Sequence, residues 1–234
     1  MINYEKIICA LDLNDLDRAS LLIENIKYDI VYKVGMEFFY NFGFDGINVL
    51  KKKKKNLKIF LDLKLHDIPN TVSMSLKPLI KFVKPFMITL HIAGGEKMLN
   101  EAVYVVNNLS KNWDHRPMTI GVTILTSLSQ RDLDNLGHRK PLKDYVLKYA
   151  KIANKAGLDG IVCSPLEITF IKELFGNKLK IITPGIRLDK SKKNDQSRVL
   201  TPEKAFQAGS DFIVMGRTLL NSDNPNSIIE NIFN

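Results

Sequence analysis

The sequence is poor in the features that mark secreted, membrane-spanning and metal-bound proteins. Of 234 residues only two are cysteines, Cys9 and Cys163. Both lie in apolar runs that read as strands, with no CxxC or Cys/His spacing around them. The expectation is two reduced, buried thiols rather than a disulfide framework or a metal site. No apolar run approaches the ~18 residues of a membrane span. The opening MINYEKIICALD passes straight into a strand pattern and lacks the regions of a signal peptide, which points to the cytoplasm. There is no Walker loop, no GxGxxG and no Ser/His/Asp arrangement. The histidines, His66, His91, His115 and His138, show no metal-ligand spacing, and His66 reads as structural.

The formal net charge is +9, and the run Lys51 to Lys55 supplies more than half of it. That run follows a helical segment, where cations suit the C-terminal dipole, and reads as a solvated helix end. Nucleic-acid binding would need a wider basic face with aromatic platforms, and neither is visible. Lysine, asparagine and isoleucine are abundant throughout, which suggests a compositional bias of the genome rather than a nucleic-acid partner.

A chain of this length can bury roughly 70–75% of its unfolded surface and needs neither disulfide nor metal to fold. Its organisation is a rhythm rather than a sequence repeat. Near-continuous hydrophobic runs at 7–12, 30–35, 59–64, 86–92, 119–125, 160–164, 180–186 and 212–216 read as strands buried on both faces. Amphipathic helices are expected near 15–27, 37–50, 70–82, 95–109, 141–156, 166–175, 202–208 and 225–233. Eight strands alternating with eight helices predict one (β/α)₈ barrel domain over residues 1–234. Asp15 is placed to cap the first helix, Pro69-Asn70-Thr71 to open the third and Thr201-Pro202 the seventh. Gly157 and Gly209 fall at helix ends. The longest loop, 186–200, is polar, as functional loops of compact barrels are.

Barrel chemistry sits at the C-terminal ends of strands. Those positions hold Asp12 on the first strand, Lys33 on the second, and Asp62, Lys64 and Asp67 on or just past the third. Side chains alternate along a strand, so Asp62 and Lys64 face one way and Leu61, Leu63 and Leu65 the other. The four charges could form a self-satisfying network. Buried ion pairs stabilise less than apolar packing, however, so such a cluster calls for another reason. After strand five, Thr126 and Ser127 could bond a heterocycle or cap a turn. Strand seven leads to Arg187 and a loop containing Gln196; strand eight ends at Gly216-Arg217. Barrels form phosphate sites there, with a glycine for close backbone approach and an arginine fork for the anion. The substrate expected from this layout is small and phosphorylated.

Taken together, ALD (10–12), KVG (33–35), DLKLHDIPNT (62–71), LTS (125–127), PGIR (184–187), Gln196 and MGR (215–217) resemble the orotidine 5′-phosphate decarboxylases of the bacterial type. The resemblance spans the chain with motifs in family order, and the ten-residue block is the specific one. Of the two hydroxyls after strand five, Thr126 is favoured. The resemblance implies conversion of orotidine 5′-monophosphate to uridine 5′-monophosphate in pyrimidine synthesis, with no metal or organic cofactor. It implies a homodimer whose sites lie at the interface, with Asp67 and Thr71 reaching into the partner's site. Lys64 would stabilise and protonate the carbanion, Asp62 and Lys33 would hold it, and Asp12 with Lys33 would suit the ribose hydroxyls. Arg187, Gln196, Gly216 and Arg217 would bind the substrate, with remote binding energy released as the 186–200 loop closes on the phosphate. Two other readings compete: a Mg²⁺-dependent sugar-phosphate barrel enzyme sharing the Asp-x-Lys-x-x-Asp strand, and a non-catalytic nucleotide-binding barrel.

Overall fold

The computed structural model describes residues 3–188 and 200–233. Eight parallel strands pair in chain order: β1 (Ile7–Ala10), β2 (Val31–Gly35), β3 (Lys58–Leu65), β4 (Met87–His91), β5 (Met118–Val122), β6 (Gly160–Val162), β7 (Lys180–Thr183) and β8 (Phe212–Met215). β8 returns to pair with β1, so the expected (β/α)₈ barrel is closed. The hydrophobic runs overshoot several strands. Ile124 stays buried past the last paired residue of β5, whereas Leu11 and Ile186 each keep one backbone contact past their strands: the Leu11 amide donates to Lys33 O at 2.9 Å and Ile186 bridges Leu200.

The expected helices are α1 (Leu16–Asn25), α2 (Met36–Lys53), α3 (Pro69–Pro78), α4 (Gly95–Leu109), α6 (Leu142–Lys155), α7 (Ile168–Phe175), α8 (Pro202–Ala208) and α10 (Pro225–Asn231). Asp15 caps α1 through the Arg18 amide, and Thr201 caps α8 through that of Lys204. α2 is kinked at Gly43, whose φ of 55° suits a residue without a Cβ. Two further helices, α5 (Gln130–Asn135) and α9 (Arg217–Leu220), are too short for a periodic signal. α5 is nonetheless announced by a capping box between Ser129 and Asp132.

The lysine run is more than a solvated end. Lys54 donates to the carbonyls of Ile26 at 3.1 Å and Tyr28 at 2.6 Å, and Lys51 donates to that of Val83. Lys53 pairs with Glu24 at 3.1 Å. These ammoniums satisfy carbonyls left over just past neighbouring helices. Burial and nearby Lys84 hold the pKa of Lys51 below its ordinary value.

A short repeat also underlies the rhythm. Ala156-Gly157-Leu158-Asp159-Gly160-Ile161-Val162 and Ala208-Gly209-Ser210-Asp211-Phe212-Ile213-Val214 share the pattern AGxDxIV. In both, the aspartate precedes a strand and accepts the amide of the preceding one: Thr119 to Asp159 at 2.7 Å, Ile181 to Asp211 at 2.9 Å. A cation completes each carboxylate: Arg116 at 2.7 Å from Asp159, and Lys172 at 2.9 Å and Lys180 at 3.2 Å from Asp211. Both glycines have positive φ, 75° and 107°. The repeat is masked in the sequence because its flanking helices share no pattern.

Burial alone would raise the Asp211 pKa; the amide of Ile181 and the two lysines outweigh it and leave the pKa below 3.8. A depressed carboxylate stabilises the fold above its unfolded pKa and loses that contribution as pH falls through the folded value. Asp211→Ala should therefore cost about 1.5–3 kcal/mol near neutral pH. Urea denaturation of both proteins should show the gap narrowing below about pH 4. A pH-independent gap would mean that the carboxylate charge contributes nothing.

Candidate active site

The barrel interior is built in rings. Ile8, Val31, Phe60, Met87, Ile120, Val162, Ile182 and Val214, one from each strand, form an apolar plug. Period-two alternation places the next inward ring two residues on: Ala10, Lys33, Asp62, Thr89, Val122, Ser164, Pro184 and Gly216. Six of these line a cavity of about 450 Å³ at the C-terminal end; Thr89 and Ser164 are fully buried. That volume is in the range of roughly 300–1,000 Å³ typical of small-molecule sites.

The cavity brings together Asp12, Lys33, Asp62, Lys64, Thr126, Arg187, Gly216 and Arg217. Thr126 lines it, whereas Ser127 is exposed and is not among its lining residues. The charges form a ladder. Lys33 Nζ lies 2.9 Å from Asp12 Oδ1 and 3.5 Å from Asp62 Oδ2, and Lys64 Nζ lies 3.0 Å from Asp62 Oδ1. The side chains of Lys33 and Asp62 are each 11% exposed, that of Lys64 30% and that of Asp12 51%, so the ladder is buried at its middle and open at both ends.

Burial disfavours both inner charges, and each survives because of the other. For Lys33, desolvation is outweighed by Asp62 and Asp12, and its pKa stands above the ordinary lysine value. For Asp62, desolvation is outweighed by Lys33 and Lys64 and by hydrogen bonds from Lys64 and Thr89, and its pKa stands below the ordinary carboxylate value. Gly35 makes room for the ladder, since a Cβ there would sit 3.1 Å from both Asp12 Oδ1 and Lys33 Nζ.

Simple alternation does not describe β3 fully. Leu61 pairs with Ile88 and Leu65 with Leu90, so Asp62, Leu63 and Lys64 together oppose the single residue Thr89. This is a β-bulge, and Lys64 sits in it with φ of 50°, a conformation uncommon for lysine. The expected facing of Asp62 and Lys64 is obtained, with Leu63 and Leu65 against the outer core, but through a bulge rather than a regular pleat.

At the other side of the cavity, the ends of the 186–200 loop are tied together. Arg187 donates its amide to Leu200 O at 3.1 Å and Leu200 donates to Gly185 O at 3.3 Å. Gln196 lies outside the described residues. A Cβ on Gly216 would approach only Ala10 Cβ at 3.7 Å, so the space beside this glycine belongs to the cavity it lines.

Asp67 and Thr71 do not line the cavity. Both are exposed, and Asp67 Oδ1 accepts the Ile68 amide at 2.7 Å. His66 stacks on His91 with centroids 5.1 Å apart. Burial, His66 and Lys64 hold the pKa of His91 below its usual value. Thr89 and Ile124 are parts of the site or its support that reading strand ends missed, and Gly35 and Leu125 stand in the motifs read there without a role of their own. Extending the inward period of β4 from Met87 would have found Thr89.

Residues 5–232 match the sequence profile of the Orotidine 5′-phosphate decarboxylase / HUMPS family. The orotidine 5′-phosphate decarboxylase of Carboxydothermus hydrogenoformans is 43% identical over 222 residues, covering 94% of this chain and 91% of that one. Its counterpart in Vibrio cholerae is 38% identical over 232 residues, covering 99% and 98%. The crystal structure of orotidine 5′-phosphate decarboxylase from Lactobacillus acidophilus aligns with a TM-score of 0.85 at 36% identity, covering 97% of this chain and 96% of that one. With the likeness running the length of both chains, on a barrel whose mouth carries this charge ladder, the protein belongs to the orotidine 5′-phosphate decarboxylase / HUMPS family.

Proposed function

We propose that this chain, as a single barrel domain, converts orotidine 5′-monophosphate to uridine 5′-monophosphate without metal or organic cofactor. The observation that carries the proposal is the placement of Lys64 Nζ over an apolar plug, 3.0 Å from a buried carboxylate. Loss of carbon dioxide breaks a carbon–carbon bond and leaves its electron pair on an sp² ring carbon. Lys64 offsets that charge and then donates the proton that replaces the carboxylate. Asp62 and Lys33 orient it, Asp12 and Lys33 take the ribose hydroxyls, and Thr126 takes the pyrimidine. Arg187, Gly216 and Arg217 take the phosphate end, and Gln196 belongs with them by motif.

A general acid supplies roughly 10²–10⁴ in rate. Very slow reactions need about 15–23 kcal/mol of barrier reduction, so preorganised charge and remote binding energy must supply the rest. The Mg²⁺-dependent alternative fits the donor set poorly. Between the carboxylates of Asp12 and Asp62, the gap a divalent cation would need is taken by the Lys33 ammonium.

The proposal includes a homodimer with shared sites. Asp67 and Thr71 stand outside their own cavity, and Ile68 and Met74 on the same segment are large apolar residues 65% and 53% exposed. A partner covering that segment would bury them and receive Asp67. A cytoplasmic location suits the two free, buried thiols.

Lys64→Ala should abolish release of carbon dioxide from orotidine 5′-monophosphate in EDTA, while uridine 5′-monophosphate still binds by calorimetry. Near-normal turnover would remove Lys64 from the mechanism.

Mixing Lys64→Ala with Asp67→Ala protein under subunit exchange should restore activity, because one site of the mixed dimer then carries both residues. No recovery in verified heterodimers would place Asp67 within its own subunit's site.

Arg217→Ala should lower kcat/KM for the nucleotide by on the order of 1.5–3 kcal/mol, about 10- to 150-fold, and hardly change turnover of the phosphate-free nucleoside. Equal losses for both substrates would show that Arg217 does not hold the phosphate.

A further inference from the structure

The bulge in β3 creates a hydrogen-bonding problem that one side chain solves. Three residues of β3 oppose one of β4, so the ladder cannot supply a backbone acceptor for every amide in the bulge. Lys64 presents its N–H there from a left-handed conformation that costs free energy unless its surroundings hold it. The acceptor is the hydroxyl of Thr89, the residue opposite the bulge, which takes the Lys64 N–H at 2.8 Å. The same oxygen lies 3.1 Å from Asp62 Oδ1 and 3.5 Å from Leu61 O, and its single proton has the charged carboxylate as the nearer, stronger acceptor. Thr89 is fully buried, inside a strand whose neighbours Met87, Ile88 and Leu90 are all apolar.

We infer that Thr89 is a positioning residue for the reaction, whose hydroxyl grips the Lys64 backbone and the Asp62 carboxylate at once and so sets where the Lys64 ammonium points. The inference rests on the proposed role of Lys64 as proton donor. Thr89 does not line the cavity. Its effect passes through the two groups it holds. Valine at this position would keep the shape and lose both bonds, leaving the Lys64 amide unpaired and Asp62 short of one donor. The bulge could then relax toward a regular pleat and move Nζ. Serine would keep both bonds.

The test compares Thr89→Val, Thr89→Ser and Thr89→Cys with wild type, using orotidine 5′-monophosphate turnover and thermal melting, with Lys64→Ala in parallel. A misplacement near one ångström costs about 100-fold, so kcat of Thr89→Val should fall roughly 30- to 100-fold. KM should stay within about twofold because the ribose and phosphate contacts are untouched. Thr89→Ser should recover kcat to within about threefold of wild type, since it keeps the same hydrogen bonds. If Thr89→Val does not fold, Thr89→Cys, with a weaker donor of similar size, should show an intermediate loss. Wild-type kcat in a folded Val or Cys variant overturns the inference, as does a Ser variant as impaired as Val. Failure of the underlying reading is separate: it would show as turnover surviving in Lys64→Ala.

Discussion

Lys33 is a buried cation set directly above an apolar plug, and the arrangement of the barrel mouth follows from keeping it charged. An ammonium taken from water into that environment is tolerated only beside carboxylates. Asp62 lies on the neighbouring strand at the same level, and Asp12 reaches in from the end of β1. Asp62 then needs more than one donor, and Lys64 and Thr89 provide them. The two inner groups, Lys33 and Asp62, are held ionised by their neighbours. The ladder has two more exposed ends, Asp12 and Lys64, and both line the cavity. Such a network is weak evidence of stability, since apolar packing would serve that purpose as well. Its consequence is that the Lys64 ammonium is held 3.0 Å from Asp62 at the lining of the cavity.

The cost of that placement falls on the backbone. A regular β3 would leave Asp62 and Lys64 each opposite its own partner on β4. The bulge instead gathers Asp62, Leu63 and Lys64 opposite Thr89 and puts Lys64 in a left-handed conformation. Bulges re-aim side chains next to active sites, and strain of this kind persists where the surroundings over-determine it. Here Leu63 and Leu65 are anchored in the outer core, and the Thr89 hydroxyl supplies the missing acceptor.

The barrel was legible in the sequence because buried parallel strands are written as uninterrupted apolar runs, and eight of them leave few alternatives. Strand ends were less legible, since Ile124 is buried after its ladder stops, and Leu11 and Ile186 are buried where only a single backbone contact continues. That Asp62, Lys64, Lys33, Asp12, Gly216 and Arg217 would meet at one cavity was legible because a charge or glycine at the end of such a run has no packing explanation. Thr89 could not, because a threonine inside a strand also satisfies β-propensity alone. Gly35 belongs to a motif that could be quoted, but its reason is steric and appears only when Asp12 and Lys33 are placed around it. The lysine run misled for a related reason: composition cannot tell an ammonium in solvent from one that donates to another helix's carbonyl.

The two ends of the barrel divide the labour of the charged residues. At the N-terminal end, Asp159 and Asp211 are each bound by a backbone amide and by arginine or lysine. Those carboxylates have their acceptor capacity largely used by the fold and tie a strand to its neighbour. At the C-terminal end, the Asp62 carboxylate is met by side chains, and both lysines beside it also line a cavity. The chemical group is the same at both ends; the partner differs. A carboxylate that accepts a backbone amide pins the chain, whereas one bonded by side chains alone positions the ammoniums beside it. Substitutions at the first kind should therefore register in stability, and at the second in turnover, which is the separation expected when a barrel keeps its scaffold and its chemistry at opposite ends of the same strands.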